Sequence, residues 1–124
     1  MHEYSFEKLS VYNNSRDLAV IIYSLLDKFP KKEEFALSSQ IRRAIISVPS
    51  NIAEQSGRKS FKEKIRFLEI AYGSLLEAYC QLQLAVDLNY LTSVEFEELK
   101  PKFHLISAQL SGLRKSFSQT HLNE

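Results

Sequence analysis

The sequence predicts an all-α fold, an antiparallel up-down-up-down four-helix bundle, on three observations. Long segments repeat their apolar residues in steps of three and four. Two Ser/Thr-x-x-Glu patterns, Ser60 with Glu63 and Thr92 with Glu95, mark helix starts at which side chain and backbone satisfy one another. No sustained period-two alternation and no Asn-Gly or Asp-Gly turn speaks for strands.

The first helix is expected over residues 10–29. Tyr12, Ala19, Ile22, Leu26 and Phe29 share one stripe, Leu18, Ile21 and Leu25 widen it, Ser10 can cap the start, and Pro30 closes the segment. The linker "PKKEEFAL" holds a short turn before helix two, residues 38–56, with Ser38 as N-cap and Gly57 as the stop. Ile41, Ile45, Val48 and Ile52 form its apolar face although Pro49 lies among them. A proline there frees the carbonyl of Ile45, and Ser47, Ser50 or Asn51 can occupy backbone groups around the bend it imposes.

Helix three, residues 60–88, has an unbroken heptad seam of Phe61, Ile65, Leu68, Tyr72, Leu75, Tyr79, Leu82 and Val86. A second stripe of Ala71, Ser74, Ala78 and Ala85 is small enough to admit a close neighbour, so this helix has neighbours on two sides. After "NYLT", helix four covers residues 93–117 with Phe96, Leu99, Phe103, Ile106, Leu110, Leu113 and Phe117 in heptad spacing. Pro101 near its start predicts a bend, and the tail "SQTHLNE" is expected to fray. The seven-residue period favours shallow, left-handed crossings.

At 124 residues the chain suits a single domain, 1–124, with a real core. Its 25% charged residues and low glycine and proline content are ordinary for a folded soluble chain. No apolar run approaches the roughly 20 residues of a membrane span, and the start has no signal-peptide character, so a cytoplasmic protein with no membrane contact is expected. Cys80, the sole cysteine, excludes an internal disulfide and any CxxC site; its apolar helical neighbours place it in the core. A net charge of +1 leaves nucleic-acid affinity to local clustering.

Several blocks occur in order: "FEKLSVY" from Phe6, "QIRRA" from Gln40, "SVPSNIAEQSGR" from Ser47, "FLEIAYGSLLEA" from Phe67 and "LNYL" from Leu88. Together they resemble the bacterial four helix bundle family first noticed as reading frames within intervening sequences of 23S ribosomal RNA genes. The block around Asn51, Ile52, Ala53, Glu54 and Arg58 is the most specific part, and Gln55 stands where that family more often has glycine. The resemblance implies a ring-like homo-oligomer, a pentamer. It also implies kinship with accessory variability proteins of diversity-generating retroelements, which associate with a reverse transcriptase and with nucleic acid.

Two polar clusters are candidate sites. Arg43, Ser47, Asn51, Glu54 and Arg58 step by four, four, three and four along helix two, beside its isoleucine face. They are read either as a groove in which Arg43 and Arg58 hold an anion, or, in preference, as a seam satisfying a second polar set on helix three, Glu69, Gly73 and Glu77, at a helix or subunit junction. The second cluster is "GRKSFKEKIR": Arg58, Lys59, Lys62, Lys64 and Arg66 face only Glu63, at a helix start whose dipole also favours anions. A solvated helix start is the plain reading of one copy. Repetition around a ring makes the cluster a multivalent phosphate surface.

Catalytic chemistry finds little support. The three histidines, His2, His104 and His121, have no glutamate three residues before them, as a di-metal bundle requires. There is no phosphate-cradling glycine loop and no His-Glu-x-x-His zinc motif, and Ser47 and Ser74 have no histidine nearby in sequence. The expectation is a non-enzymatic, self-associating bundle without cofactor, metal or small-molecule substrate, partnered by RNA, DNA or a nucleic-acid enzyme such as a reverse transcriptase. A purely structural protein-interaction module is the alternative, and an enzyme built on Arg43, Asn51 and Glu54 the remote one.

Overall fold

The computed structural model describes residues 3–122, with side chains through Thr120; the expectations for His2, for the His121 side chain and for Asn123 and Glu124 lie outside the described residues. Among these, four α-helices form the bundle: α1 Ser10–Leu26, α2 Leu37–Ser56, α3 Phe61–Asp87 and α4 Ser93–Leu122. Short 3-10 turns occupy Ser5–Lys8 and Lys31–Glu33, and no strand occurs among the described residues. Each helix packs on its neighbour in sequence, α2 against α3 most extensively, and α4 returns to α1 to close the square.

All four helices contribute to one core. Ile41, Ile45, Val48 and Ile52 of α2 are fully buried, as are Leu68, Leu75 and Leu82 of α3 and Leu99, Ile106 and Leu110 of α4. The small stripe of α3 is buried where α2 approaches, with Ala71, Ala78 and Ala85 inaccessible to water. In α1 the stripe is centred one position away from the sequence reading: Val11, Leu18, Ile22 and Leu26 are buried, while Tyr12, Ala19 and Ile21 flank them.

Several helix ends differ from expectation. Helix α1 stops at Leu26, not residue 29, because Asp27, Lys28 and Phe29 turn tightly through bonds to Ser24, Leu25 and Leu26; Phe29 is buried without being helical. Ser10 and Ser38 are not caps. Ser10 is the first helical residue after Leu9, and Ser38 is a buried second residue of α2. Their backbones already continue the helix, so their hydroxyls face no free N–H at the right position. Helix α4 continues past residue 117 to Leu122, so the segment expected to fray is helical up to there; Phe117 packs against Phe61 with the rings tilted and their centres 5.5 Å apart, and anchors the extra length.

The two capping patterns differ. At α3, Ser60 Oγ accepts from the Glu63 N–H at 3.1 Å. At α4 the exchange is reciprocal: the Thr92 N–H donates to Glu95 at 2.9 Å and the Glu95 N–H to Thr92 Oγ1 at 3.1 Å. Between them, α3 ends through Asn89 in the left-handed region (φ 65°), which lets the Tyr90 N–H reach back to the Ala85 carbonyl at 2.9 Å. Tyr90 then donates to Glu33 at 2.8 Å, and that hydrogen bond raises the phenol pKa.

Cys80 is exposed, not core. It lies between Leu76 and Leu84 at helical spacing, so its neighbours are indeed apolar, but they form the outer face of α3 and are themselves about half exposed. Pro49 and Pro101 lie within unbroken helices, and Asn51 Nδ2 covers the Ser47 carbonyl at 2.7 Å beside Pro49. No helix among the described residues is long and apolar enough to cross a membrane.

Candidate functional site

The basic cluster separates into two kinds of residue. Lys64 Nζ lies 3.1 Å from the Gln55 carbonyl and 3.5 Å from that of Ser56, so it satisfies the last carbonyls of α2. Arg58 pairs with Glu54 one turn earlier and lies over the Phe67 ring at 4.6 Å. Both are therefore held inside the α2–α3 corner. Lys59, in the turn before α3, and Lys62 and Arg66 on its first turns are spaced by three and four, are exposed, and have no acidic partner among the described residues. Arg114 of α4 lies at the same end of the bundle but is paired with Glu69 at 3.1 Å.

The polar seam also divides. Ser47 and Asn51 face α3: Asn51 Nδ2 donates to Ser47 Oγ at 2.9 Å, and Ser74 Oγ of α3 donates to the same oxygen at 2.8 Å. About two turns further along α3, Gln81 Nε2 donates to Glu77 at 3.2 Å and to Gln40 at 3.4 Å. Gln40, Arg43, Ala44, Ser47, Ser74 and Glu77 line a polar groove of about 350 Å³ between α2 and α3. Glu54 and Arg58 lie beyond its end, paired with each other.

Glu69 and Gly73 do not share this junction. They line an apolar hollow between α3 and α4 with Leu68, Tyr72 and Leu110. The physical reason is drift: a residue every four positions advances about 40° around a helix of 3.6 residues per turn. Glu69 therefore faces α4 while Glu77, two such steps on, faces α2. Sequence reasoning missed Gln40 and Gln81, the latter buried with its Oε1 unpartnered. The i,i+4 spacing of Glu77 and Gln81 was the available signal.

No group of three or more His, Cys, Asp or Glu side chains that could hold a metal ion occurs among the described residues. His104 is exposed and lies beside Tyr79, ring centres 6.4 Å apart.

The model of the 23S rRNA-intervening sequence protein family matches residues 7–112, covering α1 to α3 and the first two thirds of α4. The chain belongs to that family. A solved structure similar to this family member is described as a protein of unknown function from the S23 ribosomal protein family of Bacteroides thetaiotaomicron. It is 29% identical, covers 85% of this chain and 98% of its own, and superposes with a TM-score of 0.75. No curated protein matches this family member. The family assignment fixes the fold and leaves the basic stripe and polar groove to be read from their own chemistry.

Proposed function

We propose that the protein is a non-enzymatic, self-associating helical bundle that binds nucleic acid through its phosphates. The observation that supports this is the stripe of Lys59, Lys62 and Arg66, exposed cations with no internal counter-charge at one end of the bundle. Such charges are costless to redirect toward a polyanion, unlike Arg58 and Lys64, whose partners lie within the chain. Self-association, as a pentamer by family resemblance, multiplies three contacts per copy into a surface of useful affinity. Apolar side chains left in water support it: Val20 and Ile46 on α1 and α2 are 70% and 45% exposed, and Leu76, Leu84 and Leu105 on α3 and α4 about half exposed.

The test is salt-dependent binding of RNA and DNA. Replacing Lys59 and Lys62 by Gln lowers the slope of log affinity against log salt by about one per residue removed from contact, with the oligomer intact by native mass spectrometry. Wild-type protein that binds neither nucleic acid, or a double variant with an unchanged slope, removes the reading. The exposed apolar faces favour the second reading, a structural interaction module without nucleic acid, and self-association with no salt-sensitive binding selects it.

A further inference from the structure

The α2–α3 groove has more hydrogen-bonding capacity than the chain uses. A hydroxyl offers one donor and two acceptor positions. Ser47 Oγ accepts from both Asn51 and Ser74, and its own proton has no acceptor among the described residues. Arg43 is exposed on the same wall and unpaired, although Glu77 lines the groove opposite it. Gln40 spends its carbonyl on Gln81 and keeps its amide N–H donors. The α2 wall thus presents spare donors.

The α3 wall presents spare acceptors. Only one Glu77 oxygen receives a bond, from Gln81, and the exposed carboxylate has no paired cation among the described residues. With one arginine and one glutamate the groove is neutral, so it does not select a bare anion. It suits a flat group with an acceptor on one side and adjacent donors on the other. A volume of about 350 Å³ falls in the range of small-molecule clefts.

We propose that this groove reads an unpaired guanine base, with Arg43 and Ser47 donating to the base oxygen and Glu77 accepting from the adjacent ring N–H and exocyclic amine. Guanine is the base whose pairing edge carries two neighbouring donors beside an acceptor. Adenine and cytosine set an acceptor beside their one donor and uracil flanks its one donor with two acceptors, so each leaves one carboxylate oxygen facing a lone pair. A duplex hides that edge, so the strand must be single. Arg66 precedes Glu77 on the same helix by a rise of about 16 Å, so one short strand spans both the phosphate stripe and the groove. This inference rests on the phosphate-binding reading and adds base selection to it.

Fluorescence anisotropy with the full-length protein tests it, using short single-stranded uridine RNA in which isolated positions are guanine, inosine or adenine. The guanine strand binds about five- to tenfold more tightly than uridine alone, as a two-bond base contact gives, and inosine, which lacks the exocyclic amine, falls between them. Glu77→Gln and Arg43→Gln, both at exposed positions, erase the guanine preference and leave uridine binding and its salt slope unchanged. Lys59→Gln with Lys62→Gln does the converse. Equal affinity for all strands, or a preference that survives Glu77→Gln, overturns base reading while leaving phosphate binding intact. No binding to any strand overturns both.

Discussion

Lys64 on α3 donates to the main-chain carbonyl of Gln55, nine residues earlier, at 3.1 Å. A lysine that sequence spacing assigns to a phosphate surface is instead the cap of the preceding helix. Its ammonium also lies over the Phe117 ring of α4, with Nζ 5.7 Å from the ring centre, so the same residue joins three helices.

Lys64→Met therefore lowers stability by about 1 kcal/mol, through loss of a charge-assisted bond to the α2 terminus. Lys59→Gln changes stability by less than about 0.5 kcal/mol, as an exposed site without partners does. Urea denaturation measures both, and equal effects would contradict the division of the cluster.

Gln55 is 2% exposed with its Oε1 unpartnered. Replacing it by methionine keeps the shape and removes an unpaired buried carbonyl. Gln55→Met is expected to raise stability by about 1 kcal/mol; a loss in thermal or chemical denaturation would mean that the amide makes contacts needed for folding.

Glu95 joins two helix ends at one end of the bundle, pairing with Lys28 after α1 and closing the cap of α4. The Lys28 hydrogen bond, then the Thr92 N–H, lowers its pKa from 4.5 to about 2. A carboxyl that ionises more readily when folded contributes its full stability above the unfolded pKa and loses it as pH falls through the folded one. Stability thus declines between about pH 4.5 and 2, and Glu95→Gln flattens that part of the profile measured by circular dichroism.

The exposed thiol of Cys80 gives a reporter for the outer face of α3. In dilute protein it reacts with a disulfide reagent at the rate of an unhindered thiol. Rising concentration slows the reaction if Leu76, Cys80 and Leu84 enter a contact between copies. A rate independent of concentration across the association range places that contact elsewhere.

Helix number, order and core were legible because each apolar seam repeats often enough to average out local ambiguity. The seam of α2 and that of α4 up to Leu110 coincide with the buried residues, whereas α3 buries Leu68, Leu75 and Leu82 of its seam and leaves Phe61, Ile65, Tyr72, Tyr79 and Val86 half-buried. What misled was information held by the third dimension. Cys80 has apolar neighbours on a face that no other helix covers. Ser10 and Ser38 resemble caps, but the helix begins before their hydroxyls can act. Sequence located Ser47 and Asn51 correctly on one stripe, yet only the antiparallel register of α2 and α3 brings Ser74, Gln40 and Gln81 to them. Likewise Lys64 and Lys62 are indistinguishable by composition; a turn at Gly57 decides that one meets a helix end and the other meets water.

The square arrangement, in which each helix touches its sequence neighbours and only α4 must find α1, also governs how the chain assembles. Most contacts join segments separated by one short loop, which lowers the entropic cost of bringing them together and favours rapid folding. The α2–α3 hairpin, the broadest interface, is the natural nucleus. The bond from Asn14 to Gln109 spans 95 positions and so closes a long loop. That edge forms last and opens first, so amide exchange begins along the α1–α4 border and reaches the isoleucines of α2 only on global unfolding.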